Sequence, residues 1–314
     1  MDTLNTQQRI GELDFLKGIL ILLVISFHLV YIGNSYPYIK QIVYTFHMPG
    51  FLLISGYLMS LHHKPKDFLR TTAWLAVPYL LLESGYTLMA ALLPIRDHID
   101  RLTPALFLDK LLLHPLGPYW YLHTLILCRV VYYFINHAFP KHSYVKLLLV
   151  AMVFFGLALL GLMSFSCACY FLAGAILRWR GQLFTDFFRP SFVALIAFGF
   201  LITKESFLDK STIGGILIVY CALSSLLLLH RYLPERIRRH TYYLGRNSLL
   251  LYLFSPIFTI LCKFMQPLFA FDPTALLFWM VALALCVGGS LLTGWIIEKM
   301  QLGRFIFGKQ KVIV

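Results

Sequence analysis

Apolar blocks of about 20 residues recur along the chain, which is the length needed to cross a hydrocarbon core of about 30 Å. One begins with FLKGILILLVISFH (Phe15 to His28), where a serine is the only polar side chain between a lysine and a histidine. Outer-membrane strands alternate their apolar and polar residues, so continuous runs of this kind exclude a barrel. Of the 314 residues 59% are apolar and 13% charged, against roughly 25% charged in soluble domains, and the mean hydropathy is +0.75. The expected fold is an all-α integral membrane protein.

Read against their Pro and Gly breakers, the blocks predict about ten transmembrane helices in one bundle. They fall near 13–33, 38–61, 68–93, 118–136, 144–163, 165–179, 190–203, 212–230, 243–266 and 274–297. With the N-terminus cytosolic, 19 of the 27 basic residues lie in cytosolic segments, including Arg9, Lys17, Arg70, Lys141, Arg178 and the run Arg236, Arg238, Arg239. Six lie outside, namely Lys40, Arg96, Arg101, Lys110, Lys204 and Lys210, while Arg129 and Lys263 fall within spans. Such asymmetry fits the positive-inside rule and places both termini in the cytosol. It also accounts for the net charge of +13 without a nucleic-acid partner. The first apolar run is long and lacks an A-x-A site, so no cleavable signal is expected. The longest outer loop, about 95–117, is too small to fold alone, which makes 1–314 a single membrane-embedded domain. All six cysteines fall in apolar blocks; Cys167-x-Cys169 is not a zinc pattern, no metal site is expected, and the thiols read as buried and inert.

Ionisable groups at membrane depth are costly and therefore candidates for function. An outer group contains His28, His47, Glu83 and His123, beside the aromatic run Tyr119-Trp120-Tyr121. An inner group contains Asp14, Lys17, Arg70, Arg129 and Arg178. The outer group offers neutral bases near pH 7, and the inner one offers cations suited to phosphates. Plainer readings exist: His123 as a helix–helix hydrogen bond, Lys17, Arg70 and Arg178 as snorkelling anchors, Tyr119 to Tyr121 as an interfacial belt. His28 and His47 resist such readings. Lys17 lies eleven positions before His28, about three turns or 16 Å, on nearly the same helix face.

The segment RIGELDFLKGILILLVISFH (Arg9 to His28) resembles the opening signature of the membrane-bound acyltransferase family 3, with a basic residue some ten positions before an essential histidine. FHMPGFLLISGYL (Phe46 to Leu58) is similar to that family's second motif, PYWYL (Pro118 to Leu122) to its W-F-L element, and LGRNSLLLYL (Leu244 to Leu253) to its late motif. They occur in family order, and the compact size resembles the sugar O-acetyltransferase branch, including fucose O-acetylase-like proteins. Two positions depart from the pattern: Ala73 stands where the family often has a second arginine after Arg70, and Ser255 where many relatives have a histidine.

The resemblance implies an O-acyltransferase that moves an acetyl group from cytosolic acetyl-CoA, a co-substrate, to a hydroxyl of a cell-envelope glycan or lipid-linked sugar. The membrane would be the bacterial cytoplasmic membrane, and no bound cofactor is implied. His28 matches the catalytic histidine and Lys17 the basic residue of the motif. His47 or Glu83 would orient the imidazole, Lys17, Arg70 and Arg129 would hold the acyl-CoA phosphates, and Trp120, Tyr119 and His123 would meet the acceptor. Either a general base or an acyl-accepting nucleophile suits His28. Two other classes stand beside this one. A proton-coupled transporter or flippase would use His28, His47 and Glu83 as a relay, though no internal repeat supports it; a structural subunit would leave those groups unexplained.

Overall fold

The computed structural model describes residues 10–61, 64–92, 98–139 and 144–314; Arg9, Arg96 and Lys141 of the charge distribution lie outside them. Among the described residues the regular structure is helical throughout. The helices are α1 (Gly11–His28), α2 (Val30–Ser35), α3 (Pro37–Tyr57), α4 (Pro65–Leu92), α5 (Pro104–Leu112), α6 (Trp120–Ala138), α7 (Tyr144–Leu159) and α8 (Phe165–Trp179). They continue with α9 (Phe184–Phe187), α10 (Phe192–Leu201), α11 (Ile213–Tyr232), α12 (Glu235–Arg246), α13 (Ser248–Cys262), α14 (Leu276–Lys299) and α15 (Gly303–Ile306). Helices are the natural choice for such a composition, because in lipid each backbone polar group must find its partner inside its own segment. Local signals set several starts: Pro37 and Pro104 open α3 and α5, and the Thr212 hydroxyl accepts from the Gly215 amide at 2.9 Å to cap α11.

Each of the ten expected apolar segments contains a helix, but the helices differ in reach. Among the described residues four stretches are long and apolar enough on their own to cross a bilayer: Pro65–Leu92, Ile213–Tyr232, Ser248–Phe269 and Leu276–Lys299. The chain is thereby an integral membrane protein. α10, expected to span 190–203, has 10 residues, a rise of about 15 Å and roughly half a hydrocarbon core. Two expected spans are also broken. The first stops at His28, because Leu29 is extended (φ −68°, ψ 105°) before α2 begins. The ninth does not start at 243: residues to Arg246 belong to the basic helix α12, and α13 follows after a break at Asn247. Neither break carries Pro or Gly. Asn247 instead donates to the carbonyls of Tyr243 and Val314 at 2.9 and 3.1 Å, and accepts from the Val314 amide at 2.9 Å.

α1 is the central element and packs against α3, α11, α12, α13 and α14. Close backbone crossings fix its surroundings. α3 and α8 touch at Gly56 and Gly174, where an added Cβ would lie 1.9 Å from the Phe171 carbonyl oxygen and 2.0 Å from that of Leu53. Small residues at such crossings let helices approach where no hydrophobic effect drives them together. A buried apolar cluster runs from Leu13 to Val312 and includes side chains from most of the helices. The six cysteines are free thiols, five of them buried.

Candidate active site

α1 ends on His28, and α3 carries His47 at the same end of the bundle. Both side chains line a cavity of about 180 Å³. α1 adds Val24, α3 adds Tyr44 and Met48, and α13 adds Tyr252; Pro118, Trp120 and Lys210 close the remaining wall. The Tyr44 ring lies 6.2 Å from that of His28 and 5.1 Å from that of His47, between centroids. One turn of α3 separates Tyr44 from His47, which puts both on the cavity side.

The tautomer of each imidazole follows from its partner. His28 Nδ1 lies 2.7 Å from the Val24 carbonyl, and His47 Nδ1 lies 2.7 Å from the Val43 carbonyl. A carbonyl oxygen only accepts, so Nδ1 carries the proton and donates in both neutral rings. Nε2 is then the basic nitrogen of each. His47 is buried, whereas His28 is half-buried.

A second cavity, of about 460 Å³, adjoins the first and shares Tyr44 and Lys210 with it. Its further lining comes from the start of α3, with Pro37, Lys40, Gln41 and Thr45, and from Leu208 and Asp209 ahead of α11. The imidazole cavity thus opens toward a wider, partly cationic mouth.

The expected outer group is only partly brought together. Trp120 lines the imidazole cavity; Tyr119, His123 and Glu83 do not. Glu83 is fully buried, and its Oε1 accepts from the Leu116 amide at 2.6 Å. It therefore anchors the segment that delivers Pro118 and Trp120. His123 Nε2 donates to the Leu112 carbonyl at 3.0 Å, and the Tyr79 hydroxyl to that of Leu111 at 2.8 Å. Together they pin the end of α5. The Tyr119 hydroxyl donates to the Leu253 carbonyl at 2.9 Å, and Tyr252 donates to the Pro118 carbonyl. These two bonds tie the start of α6 to α13.

The inner cations are also divided. Lys17 Nζ lies 2.8 Å from Asp14, whose other carboxylate oxygen accepts from Arg246 Nε at 3.2 Å. The Asp14 side chain is 9% exposed and that of Lys17 21%. α1 and α12 cross there at Gly245, where a Cβ would lie 1.8 Å from the Asp14 carbonyl oxygen. Arg70 is exposed on α4. Arg129, on α6, lies with its guanidinium carbon 5.7 Å from the Phe68 ring centroid, and its buried Nε has no hydrogen-bond partner among the described residues. Arg178 lies 5.8 Å from the Tyr57 ring.

Sequence reasoning passed over Tyr44, Lys210, Tyr252 and Arg246. Tyr44 was readable in principle, three positions before His47, and Tyr252 lies inside the quoted late segment. Lys210 and Arg246 reach their places only through tertiary packing.

The arrangement is one in which an imidazole faces a small cavity at one end of the bundle, while Arg129 on α6 holds an unused buried donor. Comparison with known proteins gives a family match. Residues 10–295 match the acyltransferase 3 family, described as "Acyltransferase domain". The Nodulation protein NolL of Mesorhizobium japonicum is 37% identical over 145 residues, which cover 40% of this chain and 37% of that protein. The chain thus spans little more than a third of that relative's length. No solved structure matches. With the family match extending over all but the two ends of the chain, this membrane protein belongs to the acyltransferase 3 family.

Proposed function

We propose that the chain is a single membrane-embedded O-acyltransferase of the bacterial cytoplasmic membrane, with ten membrane segments and both termini in the cytosol. It moves an acetyl group from cytosolic acetyl-CoA to a hydroxyl of a cell-envelope glycan or lipid-linked sugar. The observation that carries this reading is the His28 ring, with Nδ1 spent on the Val24 carbonyl and Nε2 left basic at a cavity.

In this reading the acceptor hydroxyl enters from the mouth on the outer side. His28 Nε2 takes its proton while the oxygen attacks the thioester carbonyl. The tetrahedral intermediate collapses as the C–S bond breaks, and the imidazolium returns the proton to the leaving CoA thiolate. The Val24 carbonyl, already accepting from Nδ1, stabilises the transient positive charge, as a carboxylate does for other catalytic histidines. His47 and Tyr44 hold the ring's orientation. Phosphates cannot enter lipid, so the coenzyme's charged end stays at the inner cations. Arg129 suits it best because it has an unused buried donor, whereas Lys17 shares Asp14 with Arg246.

The experiment is transfer from acetyl-labelled acetyl-CoA to an envelope-glycan fraction by membranes holding wild-type or His28→Ala protein at matched levels. The expected result is labelled glycan with the wild type and a loss of about 10²–10⁴-fold in the variant. Near-wild-type transfer by His28→Ala overturns the assignment. Passage of intact sugar across vesicles with no labelled glycan favours a transporter instead.

A further inference from the structure

We infer that the acceptor is an anionic saccharide, held by Lys40 and Lys210 through a carboxylate or phosphate group; this rests on the acyltransferase reading above. The two lysines approach the mouth from different elements. Lys40 sits in the first turns of α3, its Nζ 5.5 Å from the centroid of the Tyr44 ring. Tyr44 is the wall common to both cavities. Lys210 lines both cavities and so stands where the wide mouth narrows toward His28 and His47. Lys40 is within electrostatic reach of His28, and Lys210 of His47.

The positions are held, not incidental. The Lys210 carbonyl accepts from the Tyr170 hydroxyl of α8 at 2.7 Å, and residues 209–210 press on Gly215 of α11, where a Cβ would lie 1.9 Å from the Asp209 carbonyl oxygen. Both lysines are half-buried, and among the described residues neither has a carboxylate within salt-bridge distance; the bridges present involve other groups. The third charged side chain of the mouth is Asp209. One of its carboxylate oxygens accepts from the amide and the hydroxyl of Ser211, at 2.8 and 2.6 Å. It is tied to its own loop through that oxygen and lies within electrostatic reach of Lys210, so it offsets part of that charge and leaves Lys40 without a counter-charge. Two half-buried cations lining one mouth attract a counter-charge. A neutral sugar would not supply one. A sugar carrying a carboxylate or phosphate would, and its remaining hydroxyls would then lie toward the imidazole cavity.

The test is calorimetric titration of the full chain in lipid nanodiscs with three probes: a glucuronic acid-terminated disaccharide, its neutral glucose counterpart and glucose 1-phosphate. At least one charged probe is expected to bind about tenfold or more tighter than the neutral one, since charge-assisted hydrogen bonds are the strong ones. Which one does so separates a sugar carboxylate from a phosphate. Lys210→Gln and Lys40→Gln should abolish the preference and Lys210→Arg should keep it. Lys204→Gln, an exposed lysine beside Phe207, should leave it unchanged. Equal or absent binding of the charged probes, or a preference that survives Lys210→Gln, overturns the inference. Acetyl transfer to the envelope-glycan fraction is read separately: charge-selective binding with no labelled glycan overturns the acyltransferase reading and leaves the anion site standing.

Discussion

His28 and His47 make the same bond on two different helices: each gives Nδ1 to the carbonyl four residues earlier, at 2.7 Å, and each presents its ring to one cavity. The difference between them is access, because His47 is 4% exposed and His28 is half-buried. A base must touch the hydroxyl it deprotonates, so His28 is assigned that task and His47 the positioning one. His28→Gln should therefore be as inactive as His28→Ala, whereas His47→Gln should retain measurable transfer, about tenfold or more above His28→Gln. Turnover measured in matched membranes decides it; equal losses at both positions contradict the division.

Arg129 and Lys17 should separate stability from donor binding. Arg129 keeps an unpartnered buried donor, so Arg129→Gln should raise KM for acetyl-CoA about tenfold or more, the scale of one charged hydrogen bond, with little change in Tm. Asp14→Asn leaves Lys17 and Arg246 facing each other without their shared carboxylate. Loss of one partner from a buried pair costs about 3–5 kcal/mol, and the exposure of Arg246 reduces that to roughly 1–3 kcal/mol. Thermal unfolding in detergent should show a clear fall in Tm for Asp14→Asn and not for Arg129→Gln.

Glu83 distinguishes anchoring from catalysis by a pair of substitutions. Glu83→Gln keeps an oxygen for the Leu116 amide and should stay within a few-fold of wild type. Glu83→Ala strands that buried amide, at about 1–3 kcal/mol, and loosens the segment leading to Trp120, raising KM for the acceptor. Equal, severe loss of kcat in both would return Glu83 to the chemistry.

The α3–α8 crossing should tolerate no side chain. Gly56→Ala puts a methyl 1.9 Å from the Phe171 oxygen, forcing apart the helix that carries His47; overpacking of this kind costs about 1–3 kcal/mol. Gly85 of α4 has nothing within 4 Å of an added Cβ, and Gly85→Ala should be neutral or stabilising by about 0.5–1 kcal/mol. Unfolding midpoints of the two variants check the contrast.

The helical segments were legible because membrane-depth backbone leaves few alternatives, and His28 and His47 were legible because an imidazole in an apolar run has few plain explanations. Partners were not. Glu83 bonds a residue 33 positions away, and Asp14 pairs with Arg246 at a separation of 232; no local pattern encodes either. The breaks at Leu29 and Asn247 were hidden for a related reason. No proline stands at either, and the second is held by Val314.

The tie between Tyr252 and Pro118 bridges 134 positions, and so does that between Tyr119 and Leu253. At about 5–20 residues per second of synthesis, α13 follows the start of α6 by roughly 7–27 s. Throughout that interval the nascent chain holds two imidazoles and their tyrosine with one wall of the cavity missing. The protein is thus assembled back to front with respect to its chemistry: the reactive groups are made first and enclosed last. The pocket thus stays half-built for far longer than the microsecond or so that helix formation itself takes.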